Sequence, residues 1–234
     1  WMPPVHQGSC RHYDHVMGNV AAVLALTHDL LDGVCTAEEG GRLTAGMRRR
    51  VLEPFLAATR DRAEWWSQAA VESNWKIMTC GETGLALCAY AAEWPESREA
   101  LAYAVRGVVE TLDRVAPEGD WPEGVAYWMA TLFMGLRFAR ALRRLTGGAV
   151  DLMEHPALKC TGDFPFYLTM NSVAVYNFND NPDSLDYEEP ADGLRILAAE
   201  TGRADWAALA RRYRWVSLLS LALEAEAGPV TEPP

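Results

Sequence analysis

Along most of this chain, apolar residues recur at helical spacing rather than alternating. Over residues 13–31 the stripe is Val16, Val20, Val23, Leu24 and Leu30, and Gly33 stands where a C-terminal cap is expected. Thr36-Ala37-Glu38-Glu39 has the form of a capping box and marks the next helix start. Gly40-Gly41 lies just inside it and shifts the expected start toward Arg42. That helix runs toward Thr59, with Pro54 as its expected kink or break. Residues 60–73, with Trp65-Trp66, read as a short helix or a loop. Asn74 is the expected N-cap of a helix over 75–93, in which Gly81 and Gly84 lower propensity but permit close approach. Residues 97–115 form the clearest amphipathic helix, with Leu101, Val105, Val108, Leu112 and Val115 on one face.

Residues 117–124 (PEGDWPEG) read as a loop. The helix expected over 125–145 is apolar on most sides in its first half, the pattern of a helix buried all round, and Gly147-Gly148 stops it. Residues 156–168 give a short helix interrupted near Pro165, and 173–178 alternate like a short extended segment. Two more helices are expected near 190–200 and 204–225. The fold class that follows is all-α. Alternation of amphipathic and nearly all-apolar helices points to an incomplete (α/α) toroid, with antiparallel helix pairs in two layers.

The 234 residues, 50% hydrophobic and 23% charged, suffice for a sizeable core. Residues 1–227 read as one helical domain and 228–234, rich in proline, as a tail or linker. The start, Trp1-Met2-Pro3-Pro4, lacks the pattern of a signal peptide and reads as internal. No apolar run is long enough for a membrane span. A balance of 21 basic against 32 acidic residues, net −11, argues against a generic nucleic-acid or anionic-membrane binder. Basic residues cluster at 48–50, 140–144 and 211–214, mostly at expected helix ends, where the helix dipole accounts for them. Cys10, Cys35, Cys80, Cys88 and Cys160 include no CxxC pair and read as buried free thiols. His12 and His15 have i, i+3 spacing but no third ligand in a recognisable pattern, so a helix-start face or a cleft lining is expected there rather than a metal site. His28-Asp29 reads as a partly buried pair. No cofactor motif is present.

Two stretches concentrate chemistry at helix starts. One is Ser73-Asn74-Trp75-Lys76; the other is Asp120-Trp121-Pro122-Glu123-Gly124 leading to Tyr127 and Trp128. With a third stretch they resemble the heparinase II/III-like polysaccharide lyases. Residues 74–88 (NWKIMTCGETGLALC) are similar to that family's NWN-x-V-C-x-G-G helix, 119–128 (GDWPEGVAYW) to its DG-x-WPEG-x-x-Y element, and 161–180 (TGDFPFYLTMNSVAVYNFND) to its TGDF…FNFAD segment. The three occur in order, with 53 residues from Asn74 to Tyr127, and the likeness spans residues 12–212.

The resemblance implies a domain that cleaves uronic-acid-containing polysaccharide by β-elimination, with an acidic polysaccharide or oligosaccharide as partner. The C5 proton of a uronate is weakly acidic while the neighbouring carboxylate stays charged, so a donor must neutralise that carboxylate. By similarity Asn74 takes this role, and Tyr127 acts as base, acid or both. A free tyrosine ionises near pH 10, so a base role requires neighbours that favour the phenolate. Glu123, Trp75, Trp121, Trp128 and His12 are the expected substrate-binding residues. The sequence departs from the family at Trp75, where a histidine often follows the asparagine. The family's second catalytic histidine lies in a C-terminal β-sandwich, to which no residue here is matched. The family also implies a periplasmic or secreted setting, whereas the free thiols and the absent signal pattern fit a cytoplasmic one, so the compartment stays open. Two other readings of the residues stand beside the lyase. One is a toroid glycoside hydrolase using a carboxylate pair such as Asp120 and Glu123; the other is a non-catalytic carbohydrate-binding or structural module.

Overall fold

The structure, a computed structural model, describes residues 10–31, 33–71, 73–115, 118–170, 174–179 and 191–213. Among these the chain is mostly helical, with an isolated antiparallel bridge between Thr169 and Val175. The α-helices are α1 (His15–Leu30), α2 (Ala37–Met47), α3 (Glu53–Thr59), α4 (Asn74–Ala89), α5 (Ser97–Leu112), α6 (Val125–Leu145), α7 (Asp163–Leu168), α8 (Asp192–Thr201) and α9 (Ala204–Ala210). None of the described helices is long and apolar enough to cross a membrane. The chain divides into two compact units, Trp1–Arg114 with Arg137–Leu152, and Val115–Leu136 with Met153–Pro234.

In the first unit α1 begins at Asp14, whose carboxylate accepts from the Met17 amide. The capping box holds: Thr36 and Glu39 bond reciprocally, so α2 starts at Ala37 and not near Arg42. The cap satisfies amides that would otherwise be orphaned, which offsets the low propensity of Gly40-Gly41. Pro54 does not break the chain here. A π-helical turn, Arg48–Leu52, joins α2 directly to α3, and its wider register precedes the proline, which lies in the first turn of α3. The run from Ala37 to Thr59 is therefore continuous.

Side-chain contacts fix the helix directions. α1 and α4 run the same way: His15 meets Trp75 at one end, with ring centroids 4.2 Å apart, and His28 stacks on Tyr90 at the other. His28 pairs with the Tyr90 hydroxyl at 3.3 Å, while Asp29 is exposed, so the expected His28-Asp29 pair is replaced by a contact between helices. α4 and α5 run oppositely, with Lys76 on Glu110 at one end and Cys80 packed into Gly107 further along; a Cβ at Gly107 would lie 2.3 Å from the Cys80 sulfur. The α2–α3 run and α5 ascend together, joined by Arg48–Glu96, Arg60–Glu99 and Arg62–Glu110. Glu82, buried on α4, accepts from Arg137; burial raises its pKa and Arg137 opposes the rise.

In the second unit, Trp206 of α9 is fully buried beneath Gly162, where a Cβ would sit 2.5 Å from the indole. Arg203 lies over the same ring at 4.3 Å. Gly193 at the start of α8 packs against the Phe133 backbone, and Arg195 reaches from α8 to Asp192 and to the Ala210 carbonyl. α6 contributes its residues to 136 to this unit and the rest to the first. Its bounds match the expected 125–145, and Gly147 and Gly148, both with positive φ, stop it. The segment expected to be extended over 173–178 is seen as the bridge at Val175 and irregular backbone to Asn179; Val173, the continuation of the last expected helix beyond residue 213, and the 228–234 tail lie outside the described residues.

The cysteines are free. Cys80 is buried, which pushes its thiol up to about 12, whereas Cys35 is exposed, contrary to the expected burial. A thiol reagent at neutral pH is therefore expected to label Cys35 within the native protein and to reach Cys80 only on unfolding, as followed by peptide mass mapping.

Candidate functional site

The residues singled out in the sequence fall at or near helix starts in both units. In the first unit, Asn74 is the first residue of α4. The cap is Ser73, whose hydroxyl accepts from the Trp75 amide at 3.2 Å, so Asn74 is not the N-cap the pattern suggested. Asn74 is 6% exposed. Its Oδ1 accepts from the Ser73 hydroxyl at 3.2 Å, and its amide nitrogen makes no hydrogen bond among the described residues. Trp75 is half-buried between two rings, His15 at 4.2 Å and Trp65 at 5.0 Å.

His12 is exposed and lies before the Asp14 cap, so it is not on the helix face with His15. Its backbone amide, like that of Arg11, donates to the buried Glu64 carboxylate, which holds the strand of chain entering α1. His15, not His12, is the ring the structure brings to Trp75. The i, i+3 spacing hinted at this pair of histidines, but a helix that starts at His15 leaves only one of them on its first turn.

Lys76 follows Trp75 but is 1% exposed. Its ammonium donates to the Gln68 carbonyl at 2.7 Å and to Glu110 at 3.1 Å. Burial lowers its pKa, with Glu110 opposing. Glu110 also accepts from Arg62 at 2.5 Å, and its own pKa falls to about 2, chiefly through that hydrogen bond. The positive charge two residues after Asn74 is thus held in a structural ion pair.

In the second unit, the 119–128 loop meets both ends of the 161–180 stretch, while the 74–88 stretch belongs to the first unit. Gly119 has φ +83, and a Cβ there would lie 2.4 Å from the Thr161 Cα, so only glycine allows the two backbones to touch. The Thr161 hydroxyl donates to the Gly119 carbonyl at 2.7 Å and accepts from the Trp128 indole N–H at 2.7 Å. Asn179 donates to the Pro122 carbonyl at 2.8 Å. Asp163 accepts from Arg203 at 2.6 Å and from the Trp206 indole at 2.8 Å. Within the loop, the Gly124 amide bonds the Trp121 carbonyl, and the Trp121 indole donates to Glu123 at 3.2 Å.

Trp128 and Trp121 are buried, at 0% and 4% exposure, and serve the core of this unit; Glu123 and Tyr127 are half-buried. The Tyr127 hydroxyl makes no hydrogen bond among the described residues. Asp120, one half of the alternative carboxylate pair, is exposed. A Gly119→Ala substitution combines left-handed strain with a backbone clash, and an unfolding loss of about 3 kcal/mol is expected by chemical denaturation. No protein-family model matches the chain, and no curated protein matches it.

Proposed function

We propose that this chain is the helical, toroid-type portion of a polysaccharide lyase that cleaves uronic-acid-containing polymers by β-elimination. The observation that carries the reading is Asn74. Its neighbour Ser73 takes over the capping, and the Asn74 carboxamide donor makes no hydrogen bond among the described residues, on the first turn of α4. That donor is the group needed to neutralise a uronate carboxylate. Two further observations support the reading. In the second unit Thr161 and Asn179 each donate to a carbonyl of the loop, at Gly119 and Pro122, which supports reading the loop and the 161–180 stretch together. The helix directions in the first unit, with α1 and α4 one way and α2–α3 and α5 the other, support a toroid-type reading without fixing the layers.

In the reaction, a base removes the C5 proton, and the C–H electrons form the C4=C5 double bond as the C4–O bond breaks. The departing oxygen takes a proton. Asn74 would donate to the carboxylate and hold the enolate-like charge that develops. Tyr127 would carry the proton, taking it from C5, giving it to the leaving oxygen, or both. Trp75, half-exposed and backed by His15 and Trp65, is the ring suited to stack on a sugar face. Glu123 would orient substrate beside the loop. Incubation with alginate, heparin, heparan sulfate and other uronate polymers tests the reading: ultraviolet absorbance of the unsaturated product is expected on at least one, and its absence on all would refute it.

A further inference from the structure

A cleft of about 820 Å³ opens in the first unit, lined by Leu24 of α1, Leu43 and Met47 of α2, and by Arg42, Arg49 and Arg50. None of its lining residues is among the candidate site residues. Its floor is aliphatic and contains no aromatic ring. Above Gly46, which lies between Arg42 and Arg49, the space is open: a Cβ there would meet nothing within 4 Å.

The arginines are the unusual feature. Arg48, the first of the Arg48-Arg49-Arg50 run, is committed to Glu96 at 2.6 Å. Arg42, Arg49 and Arg50 have no counter-charge among the described residues. The carboxylate of the lining, Glu39, is held by the Thr36 amide and hydroxyl in the capping box, which lowers its pKa. The helix dipole does not account for Arg49 and Arg50 either. They sit on the π-helical turn within a continuous helical run, not at a helix end as the sequence suggested. Three exposed guanidinium groups without an ion pair among the described residues, grouped around an apolar floor, form a surface whose charge complements an anionic counterpart. On the same helix as Leu24, Val23, Leu26 and Leu30 are exposed at i, i+3 and i+7.

From this juxtaposition we infer that the α1–α2 cleft is a docking groove for a protein partner presenting an amphipathic helix, with apolar residues on one face and carboxylates flanking it. The aliphatic floor takes the apolar face and the arginines pair with the flanking carboxylates. Sugars stack on aromatic faces, which the lining lacks, so an acidic glycan is the less suited occupant. The inference stands independently of the lyase reading.

The test uses a fluorescent 18-residue synthetic helix with Leu at i, i+3, i+4 and i+7 and Glu on both flanks, titrated with the whole chain. A version with Lys in place of Glu and a uronate tetrasaccharide serve as comparisons. The Glu helix is expected to bind, to shift the methyl NMR signals of Leu24, Leu43 and Met47, and to weaken as salt rises. The double variant Arg42→Glu/Arg49→Glu should bind at least tenfold more weakly, while its circular dichroism and melting temperature stay unchanged, because both side chains are exposed. The Lys helix should not bind. The inference is overturned if the Glu helix does not bind, if the double variant binds it equally well, or if the tetrasaccharide rather than the helix shifts those methyl signals.

Discussion

Replacing Tyr127 by phenylalanine should, under the proposed lyase reading, reduce turnover of a uronate polymer by 10²–10⁴-fold, the range for losing a positioned proton-transfer group, or about 3–5 kcal/mol of barrier. Stability should be unchanged. The half-buried ring is retained, and the hydroxyl makes no hydrogen bond among the described residues, so its removal orphans no described partner. That separation is what distinguishes a proton carrier from a core tyrosine such as Tyr13, whose hydroxyl accepts from Thr83 within the first unit. Kinetics and a thermal melt on the same preparation check both halves. Substrate affinity should persist in the Tyr127→Phe variant, since the phenol is assigned to the proton and not to binding.

Removing the Glu110 carboxylate should lower stability as much as Gly119→Ala, and with a pH dependence that Gly119→Ala lacks. Glu110→Ala leaves the buried Lys76 ammonium with carbonyl partners but no counter-charge, and also frees Arg62. Deleting one partner of a buried pair costs roughly 3–5 kcal/mol, and Glu110 is partly exposed, so about 3 kcal/mol is expected. The pH dependence has a definite sign. Glu110 ionises at about 2 in the folded chain against an ordinary 4.5, so its contribution is fully present above pH 4.5 and is lost as pH falls toward 2. Glu110→Gln should therefore flatten the acid side of the stability profile over that window, as measured by denaturant unfolding at a series of pH values. A wild-type profile that is already flat between pH 4.5 and 2 would contradict the assignment of this pair.

The parts of the fold that were legible in the sequence are those set by local chemistry. α6 was bounded correctly because a proline- and glycine-rich loop precedes it and two left-handed glycines follow it. The Thr36 capping box was legible for the same reason, and reading Gly40-Gly41 against it failed because a satisfied cap outweighs two poor helix formers. Pro54 misled because the π-helical turn before it has no signature in the residues themselves. Ser73 and Asn74 are both good caps side by side, and composition does not say which hydroxyl or amide will turn toward the Trp75 amide.

What stayed hidden is non-local. The Lys76–Glu110–Arg62 cluster, the His28–Tyr90 stack and the His15–Trp75 contact join residues 34 to 62 positions apart, beyond any periodicity. Among the candidate residues, Asn74 and Trp75 of the first unit and Glu123 and Tyr127 of the second were visible as helix-start chemistry. Burial was not: Trp121 and Trp128 share the loop with Glu123 and Tyr127, yet their indoles are turned into the core by bonds to Glu123 and Thr161. An aromatic at a helix start carries no mark that separates a sugar platform from a core anchor.

The central claim is that the chemistry is elimination, and mass balance on the products tests it most directly. A defined uronate oligosaccharide is digested in isotopically labelled water, with the wild-type chain and with Asn74→Ala, and the fragments are weighed by mass spectrometry. The account predicts that fragment masses from the wild type sum to the substrate mass with no water added, that one fragment absorbs in the ultraviolet, and that Asn74→Ala lowers the rate by 10²-fold or more. Fragments that incorporate one labelled water and lack the chromophore would show hydrolysis, and binding without fragments would show a carbohydrate-binding module; either result contradicts the account.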